Sequence, residues 1–352
     1  MTKVQDVSLE ELIDIKHGFA FKSNFFQSEP SDYILLTPGN FHVNKTLYFG
    51  RNTKYYLGDI PSGYVLDNGD LLVVMTDLTK EMNILGNAVI LHSKKKVLHN
   101  QRIGKITIKD HQVISKDYLM YILNSDTVRK NIKATASGTT VRHTSPKKIL
   151  ELVIPLPPLL EQFRIAEVLG VWDESIDLLE KLIGKTRSRK QGLMQQLLTG
   201  KKRFKEFEGS EWKTIKLSQI AKTSSGGTPP SNNFSFYGGD IPWVSISDMT
   251  LSGKYLYDTE RKLTDLGLQN SSAKIFPIGT ILFAMYASIG KCSIAKVLIS
   301  CSQAILGIQL NENLVNTEFI YYFLASQETQ YGLMGQHGTQ KNLNAGIDLS
   351  EI

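Results

Sequence analysis

Asp67-Asn-Gly-Asp-Leu-Leu-Val-Val-Met75 and Pro277-Ile-Gly-Thr-Ile-Leu-Phe-Ala-Met285 share one pattern: a turn closed by glycine, then an apolar run of strand length ending in methionine. Gly69 and Met75 recur as Gly279 and Met285, 210 positions on. Outward from this pair, Leu9 in Val7-Ser-Leu-Glu-Glu-Leu12 matches Leu217 in Ile215-Lys-Leu-Ser-Gln-Ile220, 208 positions on. Asn40 matches Asp248 at the same interval, Gln101 matches Gln303 at 202, and Gly138-Thr139 matches Gly338-Thr339 at 200. Drift of a few residues is what insertions and deletions in loops produce. Residues 1–153 and 211–352 therefore read as two copies of one domain. Two similar domains on one spacer suit two similar targets at a fixed separation.

Each copy is of mixed α+β type. In the first, strand-like runs at Tyr33–Thr37, Leu71–Met75, Ala88–His92 and Ile103–Ile108 precede one helix, expected at about Lys116–Lys130. The second repeats the order with Ile241–Ile246, Thr280–Met285, Cys292–Leu298 and Ala304–Leu310, then a helix near Thr317–Ser326.

Between the copies, residues 154–200 predict one long helix, followed by a basic linker at 201–210. Pro155, Pro157 and Pro158 end the preceding segment and leave a proline at a helix start, where its missing N–H costs nothing. Glu161 suits the positive end of the helix dipole. Ile165, Leu169, Trp172, Ile176, Leu179, Ile183, Thr186, Lys190, Leu193 and Leu197 then alternate in steps of four and three, a heptad seam interrupted only at Thr186 and Lys190. About 40 residues at 1.5 Å each give a rod of roughly 60 Å. Such a seam must be covered by another helix, and no second heptad run exists in this sequence. The cover is expected from a following segment, a second copy of the chain, or another protein. At the end of the second copy, Leu349-Ser-Glu-Ile352 lies on Ile149-Leu-Glu-Leu152, where the first copy runs on into its helix. The expectation is two domains with one of two spacer helices.

The formal charge of +6 favours a polyanionic partner. Lys181, Lys185, Arg187, Arg189, Lys190, Lys201, Lys202, Arg203 and Lys205 lie close together, a solvated helix end or a stripe facing phosphates. No apolar run approaches the roughly 20 residues needed to span a bilayer, so a cytoplasmic protein without a membrane partner is expected. Two cysteines, Cys292 and Cys301, are too few for a disulfide framework or a thiolate metal site.

Catalytic signatures are missing. There is no phosphate-binding G-x-x-x-x-G-K-[ST] loop, no G-x-G-x-x-G dinucleotide fingerprint, and no i,i+4 (H-x-x-x-H) pair among the seven histidines. No catalytic residue, metal ion or cofactor is expected. Polar loops recur instead at matched positions. Gly138-Thr-Thr-Val-Arg-His-Thr-Ser145 offers Thr139, Arg142 and His143, and Gly338-Thr-Gln-Lys-Asn-Leu-Asn344 offers Gln340, Lys341 and Asn342. These residue types reach base edges or phosphates. Thr228, in Ser224-Ser-Gly-Gly-Thr-Pro-Pro230, joins them as a candidate. Both loops are also readable as ordinary connections into a spacer.

The layout resembles the specificity subunit of type I restriction–modification systems. The resemblance rests on Ile154-Pro-Leu-Pro-Pro-Leu-Leu-Glu-Gln162 followed by Arg164-Ile-Ala166, and on Gly192-Leu-Met-Gln-Gln-Leu-Leu-Thr-Gly200 running into Trp212-Lys-Thr-Ile-Lys-Leu217. Ser225-Gly-Gly-Thr-Pro229 and Ile241-Pro-Trp-Val-Ser245 add to it, so it spans the whole chain. It implies two target-recognition domains, each reading one half of a split double-stranded DNA sequence. It also implies a coiled-coil-type spacer on which methyltransferase (modification) subunits dock, with motor-nuclease (restriction) subunits completing the assembly. The chain would supply sequence choice and no chemistry. From the residues alone, two other classes stay open: a tandem adaptor for RNA or protein, and a divergent stand-alone nuclease or methyltransferase.

Overall fold

The computed structural model describes residues 4–286 and 288–334. The chain divides into two compact units, Met1–Leu179 and Glu180–Ile352. The first is built on an antiparallel sheet in the order Ile13–His17, Ile103–Ile108, Leu71–Val74, Ala88–Ile90. Every residue of Leu71-Leu-Val-Val74 is buried, because the sheet is covered on both faces. Leu71, Val73 and Met75 enter a core with Leu9, Leu12, Tyr118, Leu119, Leu123 and Ile132. Leu72 and Val74 point the other way, against Ile34, Leu36, Tyr55 and Val97. A second sheet of five short strands closes that face and contains one parallel pair, Tyr33–Leu35 with Lys96–Leu98.

The second unit repeats this construction. Its main sheet runs Ala221–Ser225, Ile305–Leu310, Ile281–Ala284, Cys292–Ala295 and Tyr255–Leu256. Ile281, Phe283 and Met285 face one core with Leu217, Ile220, Ile320 and Leu324, while Leu282 and Ala284 face another with Val244, Leu256 and Phe276. A three-stranded sheet, Arg261–Leu263, Tyr237–Val244 and Ser300–Cys301, again holds one parallel pair, Trp243 beside Ser300.

The duplication extends to single hydrogen bonds. Phe19 N donates to His99 O at 2.8 Å, and Gly227 N to Cys301 O at 2.9 Å. Lys109 N donates to Leu12 O and Asn311 N to Ile220 O, at 2.9 and 2.8 Å. The matched pair Asn40 and Asp248 is a turn-capping position: Asn40 Oδ1 accepts from Thr37 N at 2.9 Å, and Asp248 Oδ2 from Ser245 N at 2.8 Å. A Cβ on Gly18 would lie 2.2 Å from Asn100 O, and one on Gly226 would lie 2.1 Å from Cys301 O, so both crossings require glycine. His99 Nε2, 2.9 Å from Ile103 O, must carry its proton there, because a carbonyl only accepts. In the second unit Cys301 Sγ takes that role, 3.7 Å from Ile305 O.

One expected element is two. Lys116–Leu123 and Asp126–Ala134 are separate helices rather than a single one through Lys130. Asn124 is drawn out of register because its side chain accepts from Ala88 N at 3.1 Å and donates to Ala88 O at 2.7 Å, and Ser125 then caps the next helix. Several short strands carry no periodic signal in the sequence, among them Lys54–Tyr56, Lys96–Leu98 and Arg261–Leu263.

The long helix spans Leu159–Leu197, 39 residues, about 58 Å at 1.5 Å per residue. Its start is fastened to the first unit. Val153–Leu156 pairs antiparallel with Gln5–Ser8, and Tyr118 Oη donates to Pro155 O at 2.7 Å. Gln162 is fully buried, and its amide makes three hydrogen bonds of 2.9 Å. Oε1 accepts from Ser115 N, and Nε2 donates to Val113 O and Pro157 O. One turn further on from Leu169, Tyr121 Oη donates to Asp173 at 2.7 Å. Replacing Gln162 by leucine keeps the volume and strands two buried backbone groups, Ser115 N and Pro157 O, each at about 1–3 kcal/mol. Gln162→Leu should therefore lower the stability of the first unit by about 3 kcal/mol in urea unfolding, with hydrogen exchange accelerating first at Val113–Ser115.

Candidate nucleic-acid interface

The Gly138–Ser145 segment folds as a tight hairpin. Ser137 and His143 exchange backbone hydrogen bonds of 2.9 Å in both directions. Gly138 turns the chain with φ of 94°, and a Cβ there would lie 2.1 Å from Val141 O. Arg142 Nη1 donates back to Gly138 O at 2.7 Å and closes the turn, while its Nε is buried without a hydrogen-bond partner among the described residues. Thr139 and Thr140 are exposed at the tip. His143 is exposed too, with Nδ1 3.0 Å from Thr76 Oγ1. Thr139, Arg142 and His143 thus share one projecting hairpin.

Arg142–His143 pairs antiparallel with Thr76–Asp77, so the hairpin abuts the loop that follows Asp77. The Asp77 carboxylate is buried and organises that loop from within. Oδ1 accepts from Thr79 N and Thr79 Oγ1, both at 2.8 Å, and Oδ2 accepts from Ile84 N at 2.7 Å and Leu85 N at 3.2 Å. From the helix Asp126–Ala134, Arg129 donates to Asn83 O at 2.7 Å and Lys133 reaches Glu81 O at 3.5 Å. Desolvation lowers the pKa of both Arg129 and Lys133 from their ordinary values. Nothing in the residue types around Asp77 announces this role; only the fold brings the four donors together.

In the second unit Thr228 is exposed, and its hydroxyl accepts from Gln303 N at 3.4 Å. The segment after it lines an open cleft of about 460 Å³ with Ser231, Phe234, Tyr237 and Gly238, closed by Glu260, Arg261 and Lys262. Phe234 is 86% exposed there. Gln340, Lys341 and Asn342 lie outside the described residues, as do Gly338-Thr339 and Leu349–Ile352. Among the described residues no group of three or more His, Cys, Asp or Glu is placed to hold a metal ion, and no helix is long and apolar enough to cross a membrane.

The helix seam divides by position. Ile165 packs against the first unit's core and Leu197 is half-buried, whereas Leu169, Trp172, Ile176, Leu179, Ile183 and Leu193 are all exposed, Trp172 at 66%. The structure adds a strip that heptad reading missed. Val168, Val171, Leu178 and Leu182 are each 58–60% exposed and, with Ser175 between them, follow the same three–four spacing one position ahead of the seam. Two adjoining strips make an apolar face wider than one partner helix covers. The basic residues beyond it have partners of their own in places: Lys190 lies over the Tyr322 ring at 5.5 Å, and Arg203 lies over Trp212 at 5.6 Å while donating to Ser210 O.

The family model described as the type I restriction modification DNA specificity domain matches residues 1–185 and again residues 209–347. The chain belongs to this family, and the two matches fall on the two halves of the duplication. It is 26% identical over 293 residues to the putative type I restriction enzyme MjaX specificity subunit of Methanocaldococcus jannaschii, covering 75% of this chain and 65% of that protein. It is 25% identical over 366 residues to the EcoBI specificity subunit of Escherichia coli, covering 96% of this chain and 73% of that one. The chain thus spans about two thirds to three quarters of these relatives' lengths. Among solved structures, the S subunit of a type I restriction–modification system from M. genitalium superposes with a TM-score of 0.58 at 18% identity, covering 93% of this chain and 78% of the other. The shared fold is the mixed one described above, two similar units with a long helix between them.

Proposed function

We propose that this chain is the sequence-reading subunit of a type I restriction–modification assembly. Each unit reads one half of a bipartite double-stranded DNA target. The observation that carries this reading is the repeat of one family domain, down to several matched backbone hydrogen bonds, with loops that differ in length and residue type between the copies. A shared framework with different loops is what two different half-sites require, since base contacts specify while the framework positions. The candidate readers are Thr139, Arg142 and His143 in the first unit, with Thr228, Gln340, Lys341 and Asn342 in the second. The wide apolar face of the helix is the docking surface for methyltransferase subunits, with the same helix of a second copy as a further partner. Restriction subunits join that assembly, and the chain itself performs no reaction. Such a protein works in the cytoplasm.

Exchanging residues 1–153 for the corresponding part of a relative should change one half of the recognised sequence and leave the other intact, as read from methylated positions in a host genome. A change in both halves would contradict the modular reading. Arg142→Ala and Lys341→Ala should each weaken duplex binding by about 1–3 kcal/mol if the side chain reads a base. Titration across a salt series checks this. Burying a leucine-sized side chain is worth about 1.5–3 kcal/mol, so the exposed face strongly favours association. Leu169→Asp with Ile176→Asp should abolish it: sedimentation should show larger species for the parent and a monomer for the double variant, with methyltransferase docking lost in parallel.

A further inference from the structure

The two units differ most usefully between the third and fourth strands of their main sheets. In the second unit Ile281–Ala284 and Cys292–Ala295 are joined by Met285–Lys291, and Gly290 N returns directly to Ala284 O at 3.0 Å. In the first unit the equivalent bond, Gly86 N to Val74 O at 2.9 Å, closes a longer excursion, from Met75 to Leu85. The matched pair Met75 and Met285 stands 210 apart, and the pair Gly86 and Gly290 stands 204 apart, so the first unit carries six extra residues here. An insertion of this size in a surface loop normally adopts no fixed form. This one is fixed from inside, by the four hydrogen bonds of Asp77, and from outside, by Arg129 and Lys133 on its carbonyls.

What the loop presents is chemically selective. Leu78, Thr79, Lys80, Glu81 and Asn83 are exposed, Leu78 at 57%. The Lys80 ammonium and the Asn83 side-chain amide have no hydrogen-bond or ion-pair partner among the described residues. An asparagine amide matches adenine N6 and N7, a lysine matches guanine O6 and N7, and an apolar side chain matches the thymine methyl. The loop also starts on the strand paired to Arg142–His143, so it borders the projecting hairpin.

We propose that Leu78–Asn83 is a base-reading loop of the first half-site, with Asn83 and Lys80 as readers and Asp77 as the residue that positions them. The matched connection of the second unit, Met285 to Gly290, is six residues shorter in sequence. The proposal rests on the DNA-recognition reading above and deepens it, by assigning part of one half-site's specificity to six residues.

The test uses the full chain assembled with its methyltransferase subunits and a pool of duplexes randomised at both half-sites. Asn83→Ala and Lys80→Ala, both at exposed positions, should each lose at least tenfold preference at one or two adjacent base pairs of the first half-site. Preference in the second half-site should stay unchanged and serves as the control for folding and assembly. Asp77→Asn, whose amide cannot accept all four hydrogen bonds, should broaden selection at those same base pairs. A shift in overall affinity alone would mark a merely structural role and overturn the assignment. If the parent selects a bipartite sequence and both loop variants select the same one with the same affinity, the loop does not read bases, while the DNA-recognition reading stands. A parent that enriches no duplex sequence overturns both.

Discussion

Burial of the strand Leu71–Val74 and its counterpart Ile281–Ala284 on both faces is the constraint on which each unit depends. A strand with water on one side tolerates polar residues at every second position; these two do not, and their alternate side chains serve two separate cores. A one-residue slip would exchange the two cores' occupants outright, so register is strongly specified. The flanking strands, the short helices at Leu9–Leu12 and Leu217–Ile220, and the glycine crossings at Gly18 and Gly226 all take their places from that strand. What remains free to differ is the chain between sheet ends. There the two copies diverge in length and residue type, and there Thr139, Arg142, His143 and Thr228 sit.

The helix Leu159–Leu197 obeys a different economy. Among the described residues it buries only Gln162 and Ala166, both in its first turns. It is therefore secured at its start by hydrogen bonds to the first unit and left apolar along most of its length. Trp172, Ile176, Leu178, Leu179, Leu182 and Ile183 lie in water at half exposure or nearly so. A monomeric protein rarely leaves a continuous face of this kind uncovered. The fastening at Gln162 and the uncovered face divide the helix: the first holds its start on the unit, and the second leaves an apolar surface in water.

Much of this was legible in the sequence, and the failures have physical causes. Ile103–Ile108 and Thr317–Ser326 are found at their expected boundaries because turn residues or a capping asparagine mark their ends. The break at Asn124 was illegible because its bonding partner, Ala88, is 36 residues away. The match of Asn40 with Asp248 was visible as a coincidence of spacing, but its meaning, a side chain capping a turn, needed coordinates. At the candidate site, Arg142 and His143 stood out as long donors after a Gly-Thr turn. The buried Asp77 did not, since its function lies in four donors that the loop supplies only once folded. The second apolar strip on the helix was hidden by the stronger seam beside it.

The pairing of Gln5–Ser8 with Val153–Leu156 has a consequence for how the chain is made. The first strand leaves the ribosome about 150 residues before its partner. At synthesis rates of roughly 5–20 residues per second, it waits roughly 8–30 s unpaired. Gln162 emerges only after that strand, so the first unit closes from its end: the start of the helix completes the domain that precedes it. Until then Ile154 and the loop at Val113–Ser115 stand open, and the nascent chain presents unpaired strand edge to its surroundings. A pause in translation shortly before Val153 would prolong that exposed state, whereas a pause once Gln162 had cleared the ribosome would give the unit time to close.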